Sequence, residues 1–347
     1  MLDLSHARRL ALRRGGRAHL LVTHRGDTVL DERLGVGAEA AFWPFSVSKI
    51  FIATLVWALR DDGVLDVDAP VANYWPEFAA AGKKAITVRD VLRHRSGLPR
   101  IGTEVDEVLV MTDWQRATSR IAAATPIHAP DQEPAYEWLA WGFILGEVAR
   151  RATGAELDEL LRERILEPIG ASGTYLGLPD TERWRAVPFV GRDVSSIVTA
   201  TVLNRASVRR AIIPAGGVST RASDLTSLLE ALRLGGDALD LDRATVTEMT
   251  APSNAGRFDR YAGSRVWWGQ GVQLGQPGKR ALRASAFGRK SSARAFGHNG
   301  SNVSIAWTDP DRELTFVYLS GLIEPFPVNR LRLMAIEDAV LTAVDAA

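Results

Sequence analysis

The chain has 347 residues, 46% hydrophobic and 24% charged, the balance of an ordinary soluble globular protein with ample core-forming side chains. Its 42 basic and 41 acidic residues leave a formal net charge of +1, so no overall field favours nucleic acid or an anionic membrane as a partner. Without cysteine there are no disulfides, thiolate zinc sites or cysteine nucleophiles, and the six histidines lack metal-site spacing, so neither metal nor cofactor is expected.

The opening MLDLSHARRLALRRGG carries charge throughout and has no uninterrupted apolar core of the signal-peptide kind. The longest apolar run, Ile50 to Leu59, is too short to span a bilayer, so the expected location is the cytoplasm. AHLLVTHRGDTVLDERLGV, from Ala18, reads as two short strands joined at Arg25-Gly26-Asp27.

The next stretch, PFSVSKIFIATLVWALRDDG, predicts a helix starting near Ser46 and stopped by Gly63. It is apolar nearly all round, which marks a buried helix. At i and i+3, Ser46 and Lys49 share one face, so hydroxyl and amine are expected as neighbours. Only five lysines occur, at 49, 83, 84, 279 and 290, so arginine is the default cation of this chain. A lysine kept in a buried helix supplies what arginine cannot, an amine able to lose its proton. The bland alternative is a lysine snorkelling from a helix start.

Further along, ITVRDVLRHRSGLP predicts a short helix with a Thr87–Asp90 capping box, and WGFILGEVARRATG an amphipathic helix closed by Gly154. SDLTSLLEALRLGG predicts another, starting at Ser223 or Asp224. Gly275 to Arg294 holds Lys279, Arg280, Arg283, Arg289, Lys290 and Arg294 without an acidic neighbour in sequence; a solvated loop is expected, with an anion-holding role as the alternative. NVSIAWTDPDRELTFVYLSG reads as a hairpin turning at Asp309-Pro310-Asp311, followed by a helix over about Asn329 to Val344.

Strands at both ends with helices between them predict an α+β fold, an antiparallel sheet built from both chain ends and flanked by helices, with a mostly helical lobe inserted. The expected division of this single catalytic domain is 1–60 with 262–347 for the sheet lobe and 61–261 for the helical lobe.

A serine hydroxyl is a poor nucleophile until a base takes its proton, and Ser46-x-x-Lys49 supplies both within one turn. The partial positive charge of a helix N-terminus and desolvation both push Lys49 toward neutrality. Tyr136, a short way ahead of a helix, offers a phenol whose pKa a nearby cationic lysine would draw down, making it a proton shuttle; otherwise it is a core tyrosine. His298 and Gly300 precede a strand, where glycine admits a close approach and the imidazole either polarises a substrate or is structural.

In this order the segments resemble the serine hydrolases of the penicillin-binding protein and class C β-lactamase fold, especially the esterase branch, whose motifs run Ser-x-x-Lys, a Tyr motif, then Lys-Thr-Gly or His-x-Gly. The resemblance spans about Trp43 to Gly321. It implies Ser46 as acyl-accepting nucleophile, Lys49 as its base or electrostatic partner, Tyr136 as proton shuttle, and His298 in place of the strand lysine, with Asn299 and Gly300 completing the motif. It also implies an oxyanion hole formed by the backbone N–H groups of Ser46 and Ser301. Where β-lactamases carry Tyr-x-Asn this chain has Trp138, which would offer an apolar wall to an acyl or alcohol group. Both departures favour an esterase acting on a small-molecule ester over a β-lactamase or D-Ala-D-Ala peptidase. An acyltransferase, such as a peptide-cyclising thioesterase of the same fold, and a non-catalytic binding module are the other readings.

Overall fold

The computed structural model describes residues 2–276 and 286–347. Its helices used below are α1 (Ser5–Arg14), α2 (Ser48–Asp61), α3 (Ala140–Thr153), α4 (Ala222–Arg233) and α5 (Val328–Asp345). The main strands are β1 (Ala18–His24), β2 (Asp27–Leu34), β3 (Gln273–Leu274), β4 (Phe296–Gly300), β5 (Ser304–Asp309) and β6 (Leu314–Ser320). They form one antiparallel sheet of order β2-β1-β6-β5-β4-β3, which joins the two chain ends as strands at both termini with helices between them predict.

Local chemistry explains the joints. Arg25 and Gly26 both have positive φ (55° and 86°), the primed-turn geometry that matches strand twist and closes the β1–β2 hairpin. Thr87 and Asp90 form the reciprocal capping box, and Gly63 and Gly154 end α2 and α3 in the left-handed region. Helix α4 begins one residue before Ser223, because Asp224 turns its carboxylate to the side chain of Arg221 and to Gly173 and Thr174 instead of capping.

Every residue of β5 and β6 is buried, so the alternation in their sequence separates two cores, not core from solvent. Leu20, Val22, Ile305, Trp307, Phe316 and Tyr318 face one cluster with α1 and α5. Leu21, Ala306, Val317 and Leu319 face the larger cluster with α2, α3 and α4. The cross-strand row Leu21, Val317, Ala306, His298 therefore carries His298 onto the face that meets α2.

Of the basic stretch, Lys279, Arg280 and Arg283 lie outside the described residues. The others find partners distant in sequence: Arg289 pairs with Asp338 (2.6 Å), Arg294 with Asp311 (2.9 Å), and Lys290 donates to Thr342 (2.8 Å). Among the described residues no helix is long and apolar enough to cross a membrane.

Candidate active site

Ser46 sits in a 3-10 turn, Phe45–Val47, immediately before α2, which begins two residues later than the sequence predicts. Phe45 is held at φ 54°, a costly conformation for a bulky side chain, and its ring packs against Phe189 at 5.1 Å between centroids. The turn is pressed onto β4 at Gly300, where a Cβ would stand 1.9 Å from the Pro44 carbonyl oxygen. Gly300 thus serves a close backbone approach and is not among the cleft-lining residues.

The Tyr136 hydroxyl donates to Ser46 Oγ at 2.8 Å. Lys49, fully buried, does not bond to the serine; its Nζ donates to the carbonyl oxygens of Trp138 (2.8 Å) and Ala215 (3.4 Å). It also lies over the rings of Tyr136 (5.0 Å) and Trp141 (5.5 Å). Both groups meet at Tyr136, Ser46 through the phenol oxygen and Lys49 over the ring face.

Burial pushes the Lys49 amine down to about 7, with Glu107 and Glu137 pulling weakly the other way. For Tyr136 the outcome is opposite to the expectation drawn from lysine charge alone. Burial raises its pKa above the ordinary 10, only partly offset by the bond to Ser46, so the phenol is neutral and a donor. Glu137, buried beside it, accepts from the backbone and hydroxyl of Ser96 and is pushed well above the usual carboxylate range by burial.

His298 is buried, its Nδ1 2.8 Å from the Asn299 carbonyl oxygen and its ring 6.2 Å from that of Tyr136. Burial and the nearby Lys49 lower its pKa to about 3, so the imidazole is uncharged, and it is not among the cleft-lining residues. The pleat puts His298 on the sheet face that meets α2, beside Tyr136, and its Nε2 has no partner among the described residues. Asn299 lines the cleft, but its carboxamide is tied reciprocally to Asn302 (2.9 and 2.8 Å). Ser301 and Asn302, both at positive φ, form the tip of the β4–β5 hairpin.

Ser46, Tyr136, Trp138, Asn299 and Ser301 all line one cleft of about 590 Å³. Its walls add the aromatic and apolar Tyr261, Val266, Trp268, Phe326 and Leu331 together with the polar Gln273, Arg265 and Arg330, a mixed lining that suits a small molecule.

Three contributors have no motif in the sequence. Asp259, fully buried, accepts from Tyr136 N (3.1 and 2.9 Å), Tyr261 N (2.9 Å), Ala262 N (2.9 Å) and Trp268 Nε1 (3.2 Å). Trp268 stacks on the Tyr136 ring at 5.3 Å and 3°. His94, held at φ 56°, sets its ring edge-on to both Tyr136 (4.9 Å) and Trp268 (4.5 Å). The density of tryptophan around 267–268 was the available signal.

The chain matches the family model described as Beta-lactamase over residues 11–341. It is 29% identical to Esterase/beta-lactamase LipL of Mycobacterium tuberculosis, across 90% of this chain and 79% of that protein. It is 28% identical to Penicillin-binding protein 4 of Amycolatopsis lactamdurans, over 73% of this chain and 66% of that one. Among solved structures it resembles a family VIII carboxylesterase with TM-score 0.81 and 27% identity, covering 97% of this chain and 96% of the other. A penicillin-binding protein homologue from Caulobacter crescentus gives TM-score 0.79 at 26% identity, with 97% of each chain covered. The chain therefore belongs to the beta-lactamase family of serine hydrolases.

Proposed function

We propose that this protein is a carboxylesterase that works through a covalent acyl-enzyme on Ser46. The observation that carries the reading is the 2.8 Å bond from a neutral Tyr136 to Ser46 Oγ, beside a buried lysine whose pKa is brought to about 7. Ser46 Oγ attacks the ester carbonyl carbon, and its proton leaves through the Tyr136 oxygen, with the uncharged Lys49 amine as final acceptor. The tetrahedral oxyanion is held by the backbone N–H groups of Ser46 and Ser301. As the C–O bond breaks, Tyr136 returns a proton to the departing alkoxide, and the alcohol is released. Water then repeats the sequence against the acyl-enzyme, giving the carboxylic acid and restoring the serine. His298 acts in this scheme as an uncharged wall behind Tyr136, not as a base.

An ester is favoured over an amide or lactam by what the cleft presents. Trp138 stands as an apolar wall, and the carboxamide of Asn299 is spent within the hairpin. Steady-state hydrolysis of p-nitrophenyl butyrate tests the reading. Turnover by the wild type, abolished in Ser46→Ala and reduced about 10²-fold or more in Tyr136→Phe, is expected. Turnover retained in Ser46→Ala, or none by the wild type on any short ester, would overturn it.

A further inference from the structure

Strand β3 contributes only Gln273 and Leu274, paired with Gly297 and Phe296. Beyond Gly297 no strand among the described residues continues the ladder on the outer edge of β4, and the Gln273 side chain takes its place. Its Oε1 accepts the Asn299 N–H at 2.8 Å. Because that donor is a backbone N–H, the orientation of the amide is fixed, and the other end is the NH₂ group. Gln273 is 9% exposed and lines the cleft together with Ser46, Asn299 and Ser301. Its Nε2 donates to none of the described residues and, unlike the buried and unpaired amide of Gln276, is open to the cleft, free to donate to a ligand there. The backbone is pinned on its far side as well, by the bridge from Gln273 to Trp268.

Position gives this donor a meaning. Ser301, at the hairpin tip, follows Asn299 by two residues, so their N–H groups are no more than about 7 Å apart. If the Ser301 N–H holds the ester carbonyl oxygen, the Gln273 amide lies about one repeat along the same edge, beside the first atoms of the acyl chain. We propose that Gln273 is a substrate-binding residue that selects acyl groups carrying an acceptor oxygen two or three bonds beyond the ester carbonyl. The preferred substrates are thus alkoxyacyl, oxoacyl or hydroxyacyl esters over plain alkanoyl ones. This rests on the esterase reading above and deepens it by naming the acyl class.

The test compares isosteric p-nitrophenyl esters, methoxyacetate against butyrate and 3-methoxypropanoate against pentanoate, each rate divided by its spontaneous hydrolysis rate. The wild type is expected to favour at least one oxygenated ester about 3- to 10-fold in kcat/KM, chiefly through KM, the worth of one neutral hydrogen bond. Gln273→Glu keeps an acceptor for the Asn299 N–H and removes the NH₂ donor, so a purely structural role would survive it; the preference is expected to fall to about 1 or below. Gln273→Leu, which removes both, is expected to lose the preference too. No preference in the wild type, or a ratio unchanged in Gln273→Glu, overturns the assignment. If butyrate is turned over without preference, only Gln273 is misassigned. If neither ester is turned over and Ser46 takes up no acyl group, the esterase reading fails with it.

Discussion

At Lys49 burial and charge oppose each other, and burial wins: two carbonyl oxygens accept from the amine, yet its pKa stands near 7 instead of the ordinary 10.5. A base must be deprotonated to act, so kcat/KM is expected to fall about tenfold per pH unit below a limb near 7. His298, near 3, cannot supply that limb, so a pH–rate series on His298→Asn should show it at the same place. Disappearance of the limb in that variant would assign it to the imidazole. The same shift is a stability statement. The unfolded chain binds a proton at Lys49 up to about pH 10.5, whereas the folded chain releases it above about 7. The penalty is full below pH 7 and fades as pH rises toward 10.5. Lys49→Met is therefore expected to be inactive yet more stable by about 1–3 kcal/mol in urea denaturation at pH 7, with the gap narrowing as pH rises from about 7 to 10.5.

The site is assembled from elements far apart in the chain: a 3-10 turn ahead of α2, a loop before α3, and the β4–β5 hairpin. Asp259 ties the second of these to the cleft wall through N–H donors from Tyr136, Tyr261, Ala262 and Trp268. Asp259→Asn replaces one acceptor oxygen with a donor facing those donors. It is expected to cost about 2–3 kcal/mol of stability and to lower kcat more than it raises KM, because Tyr136 loses its hold beside Ser46. A kcat equal to wild type would show that the phenol is positioned by its stacking on Trp268 alone. Ser46 and Lys49 could be singled out by their one-turn spacing, and Tyr136 and His298 by the resemblance of their segments to the motifs of the family. Asp259 and Gln273 could not, since they lie in a segment of two-residue strands where neither the helical nor the strand period has room to show. The direction of the Tyr136 shift was misjudged for a related reason: the charge of a neighbour is visible in sequence, but the depth of burial is not.

Across the whole molecule, the sheet joining the chain ends was legible from strands at both termini, and the two-core arrangement was not. Alternation in β5 is the same whether the second face meets water or, as here, α1 and α5. The join is locked by Arg14 of α1, fully buried, which donates to Tyr318 (3.0 Å), Ser320 (2.7 Å), the Leu322 carbonyl oxygen (3.2 Å) and Asn329 (2.6 Å). Glu324 lies 3.6 Å from its Nε. Arg14→Met strands these acceptors and is expected to destabilise the fold by about 3–5 kcal/mol in thermal or urea unfolding. A loss below about 1 kcal/mol would mean that the apolar contacts of α1 with α5 hold the two ends together.

The central claim, an activated Ser46 that carries the acyl group, is tested most directly by intact-protein mass spectrometry after incubation with a fluorophosphonate and, separately, with p-nitrophenyl acetate. A single adduct is expected on the wild type, absent in Ser46→Ala and strongly slowed in Lys49→Met. No adduct on the wild type, or an equal adduct on Ser46→Ala, would contradict it.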